Sequence, residues 1–289
     1  MVRAKKTANT AGLKRFLSAQ ITRRIGRVLK ELANVRKKPD VTATHDLSTA
    51  IRRLLVVDYV VRELYGKRLL EKKLKGKIKD FRNILGKVRN LQEIRGKYEA
   101  LRLPGRFSKA FCNWLTETEK KTVDALIHVA ADFDAGELEK LNKQNRIAKV
   151  CKGKPVIRHD LLMKRLLEDV LAMRERAIKR GDDDALHRMR IRFKRYRYTI
   201  ELLAPKFADA DKKWLKYLRE FQTAMGEAHD WLILNDEIHG YAKRHKLPGI
   251  RAALKKVAAM MKRAHSGGRT WLAANLKNLR RRRGRRTSG

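Results

Sequence analysis

Residues 185–203, ALHRMRIRFKRYRYTIELL, concentrate the side chains that bind anions. Read as a helix, Leu186, Met189, Phe193, Tyr196, Ile200 and Leu203 recur at spacings of 3, 4, 3, 4 and 3. That is the period of a core-facing stripe. One residue on, about 100° round the helix, stand His187, Arg190, Lys194 and Arg197, and a third line holds Arg188, Arg192 and Arg195. The reading is one buried edge with a polar flank beside it. No acid falls between Ala185 and Ile200, so like charges at i,i+4 oppose the helix by a few tenths of a kcal/mol per pair, roughly. An anion lying along the flank reverses that cost. Guanidinium groups offer paired N–H donors that match two phosphate oxygens, and lysine adds a point charge.

Other chemistries are less well served. His45-Asp46, His187 and His229-Asp230 invite a metal or phospho-acceptor reading. There is no His-x-x-x-His and no cysteine pair at ligand spacing, and a cationic neighbourhood repels a divalent ion. Asp230 is expected to orient a nearby arginine. The run Asp182-Asp183-Asp184 precedes a helix and reads as an N-cap with favourable dipole charge, Asp184 being the first choice among the three. No GxxxxGK[ST], GxGxxG or GxSxG motif occurs. No catalytic residue, metal or cofactor is therefore expected.

The flank needs a scaffold, and the whole chain supplies helix formers. Strand-type alternation is absent. Five prolines (Pro39, Pro104, Pro155, Pro205 and Pro248) punctuate it. Helices are predicted at 12–36, 43–66, 68–100, 106–132, 158–181, 183–204, 208–245 and 250–280, with glycines offering a break in 68–100 and 208–245. The segments repeat. HDLSTAIRRLL (45–55) aligns with HRMRIRFKRYR (187–197), setting His45 on His187, Ile51 on Phe193, Arg52 on Lys194 and Arg53 on Arg195. FRNILGKVRN (81–90) aligns with FQTAMGEAHD (221–230), and Leu103-Pro104-Gly105 with Leu247-Pro248-Gly249. The offsets are 142, 140 and 144. Three landmarks in one order at nearly one offset imply an all-α protein of two four-helix units, most simply two bundles related by a pseudo-two-fold axis. Repeat one takes residues 1–150 and repeat two 151–279, joined at KGKP. A disordered basic tail takes 280–289.

Charge points to the partner. Seventy-two Lys+Arg stand against 31 Asp+Glu, a formal net charge of +41. Repulsion on that scale opposes compaction, and a polyanion relieves it. Two cysteines, Cys112 and Cys151, exclude a disulfide scaffold and fit a reducing cytosol. No apolar run spans a bilayer, and the basic face lacks the exposed apolar edge of an interfacial helix, so no membrane association is expected. Charge alone does not separate inorganic polyphosphate from nucleic acid. Tyr196, Tyr198, Trp214, Trp231 and Trp271 are candidates for stacking on bases, although Tyr196 lies on the core stripe.

LHRMRIRFKRYRYTIELL, MGEAHD and THDLSTAIRRL resemble the signatures of the CHAD domain, the conserved-histidine α-helical domain, across about Gly12 to Leu279. The resemblance implies two packed four-helix bundles that bind inorganic polyphosphate without catalysis, in the cytoplasm and associated with polyphosphate granules. Nucleic acid is the alternative partner. It implies His187, Arg190, Lys194, Arg195 and Arg197 as the cationic set of repeat two, with His45, Arg52 and Arg53 in repeat one. Arg82 and Arg89 beside the first later element, and Lys216, Arg219 and His229 around the second, complete the polyphosphate-binding candidates. The family pattern expects arginine where Ser48 and Leu55 stand and acids where Asn90 and Gln92 stand. Repeat one is therefore expected to be the weaker half-site, with Leu55 on its polar flank and the ligand in a groove between the repeats.

Overall fold

The computed structural model describes residues 10–143, 149–180, 183–205, 212–245 and 248–264, and these are helical with short connections. The helices are α1 (Thr10–Lys37), α2 (Val41–Tyr65), α3 (Lys72–Ala100), α4 (Arg106–Asp132), α5 (Ala135–Lys143), α6 (His159–Arg180), α7 (Asp183–Leu203), α8 (Lys212–Arg244) and α9 (250–264). Asp40 caps α2, its side chain accepting from the Ala43 N–H at 2.9 Å, which satisfies one orphan donor of the first turn. Gly66 ends the same helix at φ 67°, a left-handed conformation that glycine adopts without a Cβ clash.

Both glycine-bearing stretches run as single helices, α3 and α8, so the expected breaks do not occur. Leu74, Ile78, Phe81, Leu85, Val88, Leu91, Ile94 and Tyr98 are all buried along α3. The short α5 was not expected. Leu138 and Leu141 bury its one apolar face against α1. The predicted helix 250–280 is described only to residue 264, and the basic tail lies outside the described residues.

Helices adjacent in sequence pack in pairs, α1 on α2, α3 on α4, α6 on α7 and α7 on α8. Equivalent helices of the two copies also meet, α2 with α7 and α3 with α8. This is compatible with a pseudo-two-fold axis between them. The Pro-Gly turns agree with it in detail. Gly105 and Gly249 both have φ 100°, and a Cβ on Gly249 would stand 3.4 Å from Phe107 Cβ of the other copy. The linker passes along the end of α2, where the Val156 N–H donates to the Leu64 carbonyl at 2.7 Å.

Two hydrophobic clusters result, and each draws on both copies. The larger contains the apolar faces of α1, α2, α6 and α7 and ends at Val88 on α3 and Phe221 on α8, with Met225 packed against it. The smaller begins at Leu91 on α3 and Trp231 on α8 and closes with Phe107, Phe111 and Val257. Between them α8 carries Gly226, His229 and Asp230, and α3 carries Arg89 and Asn90. The apolar stripe of α8 lapses there, and a polar belt separates the two clusters.

Candidate functional site

The belt gathers polar and charged side chains from four helices, the cations from α2, α3 and α7. Lys194 of α7 feels Arg190 on its own helix, Arg52 on α2 and Arg89 on α3, while Asp230 on α8 supplies the opposing charge. Arg82 of α3 lies close enough to Arg52 to be influenced by it. His187 and His229 face each other with ring centroids 4.8 Å apart. His45, at the outer edge, feels Arg89 and Arg52. Of the residues predicted from sequence, the structure thus brings together His45, Arg52, Arg82, Arg89, His187, Arg190, Lys194 and His229.

Proton affinities record how crowded and dry the belt is. Burial, reinforced by Arg190, Arg52 and Arg89, takes the Lys194 ammonium down from 10.5 to about 7. Burial and then Arg190, His187 and Lys194 push the His229 imidazole down to about 4, so it is neutral at physiological pH. His187 is lowered by burial and then by Arg190 and Lys194. Burial raises the Asp230 carboxyl, against the pull of Arg190 and Lys97. The Arg190 Nε is buried with no hydrogen-bond partner. Arg89 reaches Glu93 at 3.6 Å and Arg52 donates to Ser48 at 3.1 Å, so cationic donors still outnumber acceptors, and an anion with several oxygens supplies what they lack.

The two copies contribute unequally, and the substitutions are paired. His187 and His229 correspond, by the repeat offsets, to His45 and Arg89. Arg190 and Asp230 correspond to Ser48 and Asn90, so the first copy lacks a cation and an anion together. Arg197 and Glu201, joined at 3.1 Å, correspond to Leu55 and Tyr59. Arg52 and Arg89 of repeat one converge on Lys194 of repeat two, so the cations of the two copies lie in one group.

Several sequence expectations change. The polar flank of α7 is partly buried at His187, Arg190 and Lys194 and fully buried at Arg197, where α6, α2 and α8 pack round the helix. Arg197, 8 % exposed, bonds Glu201, and its guanidinium lies 4.3 Å from the Tyr198 ring centroid. Ser48, 1 % exposed, accepts from Arg52 Nη2 at 3.1 Å. Leu55 packs against the larger cluster and is not on a polar flank. Asp184 stands inside α7, paired with Arg188, not at its cap, and Asp182 lies outside the described residues.

Other cations face elsewhere. Arg192 reaches Asp169 at 3.8 Å, Arg195 lies over the Tyr59 ring at 4.9 Å, and Arg53 is exposed and acts on Arg24. Lys216 pairs with Glu220 at 3.8 Å, and Arg219 Nε donates to the Leu215 carbonyl at 3.1 Å. Residues that sequence reasoning did not assign to the site are Tyr198, Glu201 and Ser48. A tyrosine and a glutamate three apart on a helix give no period-based signal of their own, and Ser48 appeared there only as a missing arginine.

A model of the CHAD domain family matches residues 19–239. The chain belongs to the CHAD domain family. Its structure is similar to the crystal structure of the CHAD domain from the plant Ricinus communis, with a TM-score of 0.74 at 16% identity over 94% of this chain and 95% of that one. It is also similar to PptA from Streptomyces chartreusis, with a TM-score of 0.62 at 12% identity over 91% of this chain and 99% of that one. Among curated proteins none matches the chain. At these identities the structural likeness concerns the CHAD fold, and the residue geometry above is this chain's own.

Proposed function

We propose that this CHAD protein binds inorganic polyphosphate, without turning it over, at the belt between its two hydrophobic clusters. One observation carries the reading: Arg52, Arg89, Arg190 and Lys194, from both copies, act on one another at a partly dehydrated point where Asp230, and Glu93 at 3.6 Å from Arg89, are the near counter-charges. Holding these like charges together is unfavourable until an anion joins them. A linear polyphosphate carries a charge on every unit and oxygens on every side, so it can satisfy several guanidiniums at once. The neutral imidazoles of His187 and His229 add N–H donors. The reading extends to a cytoplasmic protein that joins polyphosphate granules.

Nucleic acid offers the same backbone charge, but its usual additional grip is base stacking. Tyr196, Tyr198, Trp214 and Trp231 are buried, and Trp271 lies outside the described residues. Among the described residues no helix is long and apolar enough to cross a membrane. Competition decides between the polyanions. Immobilised protein is loaded with labelled long-chain polyphosphate near physiological salt, then challenged with tRNA or duplex DNA at equal phosphate concentration. Polyphosphate is expected to stay bound, and its affinity to fall steeply as salt rises. Displacement by nucleic acid at equal phosphate would refute the assignment.

A further inference from the structure

Helices α7 and α8 run antiparallel past the belt, and three successive contacts set their register. Phe193 meets Phe221 with ring centroids 4.3 Å apart, Arg190 meets Gly226, and His187 meets His229 at 4.8 Å. The middle contact has an arginine on one side and no side chain on the other. A Cβ placed on Gly226 would stand 3.8 Å from Arg190 Nη2, and among the described residues no other group outside α8 would come within 4 Å of it. The Arg190 Nε is buried without a hydrogen-bond partner, so packing holds that part of the side chain. Gly226 is half-buried and lies one turn before Asp230.

We propose that Gly226 is a positioning residue: its bare backbone seats the Arg190 guanidinium between the two ring pairs and holds it ready for the polyanion. A glycine inside a helix is less favourable than alanine, yet α8 runs through this one unbroken. Its φ is not positive, so the turn geometry that calls for glycine at Gly66 or Gly249 does not explain it. The seat also differs between the copies. The counterpart Gly86 has nothing within 4 Å, and the residue that corresponds to Arg190 there is Ser48. A long flexible arginine loses much of its side-chain freedom when it binds, and a seat that fixes it beforehand lowers that cost. One added carbon at 3.8 Å is an ordinary contact, whereas the further carbons of a leucine overpack the space and compete with the guanidinium.

The inference rests on the polyphosphate reading, and the experiment separates the two. Affinity of the full chain for labelled long-chain polyphosphate is measured over a series of salt concentrations, with helical circular dichroism and a urea midpoint recorded for each variant. Affinity is expected to follow side-chain size. Gly226→Ala, the conservative change, retains binding and raises the midpoint. Gly226→Leu removes no charge, yet is expected to weaken binding about tenfold, the order of one charge-assisted hydrogen bond. Because Arg190 is then displaced, the slope of log affinity against log salt is also expected to shrink by about 0.7–0.9, one phosphate contact. In an Arg190→Ala background the leucine should cause no further loss. Helicity lost only while Arg190 is present also supports the role, since the two side chains then compete for one space.

Unchanged affinity and slope in Gly226→Leu, an equal loss in Gly226→Ala, or a leucine loss that adds to that of Arg190→Ala would each overturn the positioning role. So would a leucine variant that loses its helicity in both backgrounds, which would make the glycine a requirement of the fold alone. In all of these cases a large loss in Arg190→Ala leaves the polyphosphate site standing. If Arg190→Ala is silent too, the site itself falls and this inference falls with it.

Discussion

Replacing Lys194 by methionine should make the ligand-free protein more stable while removing most of its affinity for polyphosphate. The ammonium is partly buried among Arg190, Arg52 and Arg89, and its proton affinity has dropped from 10.5 to about 7. Each tenfold change is worth about 1.4 kcal/mol, so retaining Lys194 costs about 4 kcal/mol of stability at pH 7 and about 2 kcal/mol at pH 9. These are upper values, since relaxation and water penetration lower them. Between about pH 7 and 10.5 the unfolded chain holds a proton that the folded chain has released. The native protein therefore gains stability as pH rises through that window. Methionine keeps the apolar stem and carries no charge to desolvate. Urea unfolding followed by helical circular dichroism, run on both proteins at pH 7 and pH 9, reads the difference directly. Lys194→Met should be the more stable at pH 7, with the gap roughly halved at pH 9. A gap that does not change with pH, or a less stable variant, would refute the placement of Lys194 among an excess of cations.

The same titration bears on binding: a polyanion favours the protonated form, so affinity for polyphosphate should rise as pH falls from 8.5 to 6. That rise should be blunted in Lys194→Met, as isothermal titration at several pH values can check. Arg190→Ala with Lys194→Ala should abolish most polyphosphate binding in the competition assay and leave the helical circular dichroism intact. Phe193→Ala should act the other way. Its ring packs edge-on to Phe221 at 4.3 Å, and losing it costs about 3–5 kcal/mol, seen as a lowered urea midpoint. Ser48→Arg with Leu55→Arg should destabilise the fold by several kcal/mol, roughly, because Ser48 is buried and Leu55 packs against the larger cluster, and a tighter-binding, equally stable double variant would contradict that packing. No phosphate is expected to be released from polyphosphate or nucleoside triphosphates with Mg²⁺ or Mn²⁺ present, by a colorimetric phosphate assay.

Much of the architecture was legible because helix periodicity is local. The apolar spacing along 185–203 identified a buried stripe in which Met189, Phe193, Tyr196, Ile200 and Leu203 are buried. Prolines and Pro-Gly pairs marked the turns, since their backbone restrictions operate within a few residues. The repeat was visible too, and Gly105 and Gly249 share one backbone conformation. Local rules were weaker where packing intervened. Glycines 76, 86 and 96 suggested a break in α3, but a helix buried along one whole face gains more from continuity than single glycines cost. The short α5 owes its stability to α1 and had no strong signal of its own.

What the sequence alone determined is the supply of chemistry: a basic all-α chain, two copies, and a list of cations at helical spacing. Which of those cations act together was settled by tertiary structure. Arg190 and Lys194 lie beside Arg188 and Arg192 on one helix, yet Arg188 and Arg192 face carboxylates alone, whereas the first two share Asp230 with Arg52 and Arg89. Arg197 shares a line with Arg190 and Lys194 in the sequence reading but is withdrawn into a bond with Glu201. The physical reason is range. Periodicity is set by neighbours three and four residues away. The charge, dryness and partners of a side chain depend on helices 100 or more residues distant, brought alongside by burial of their apolar faces.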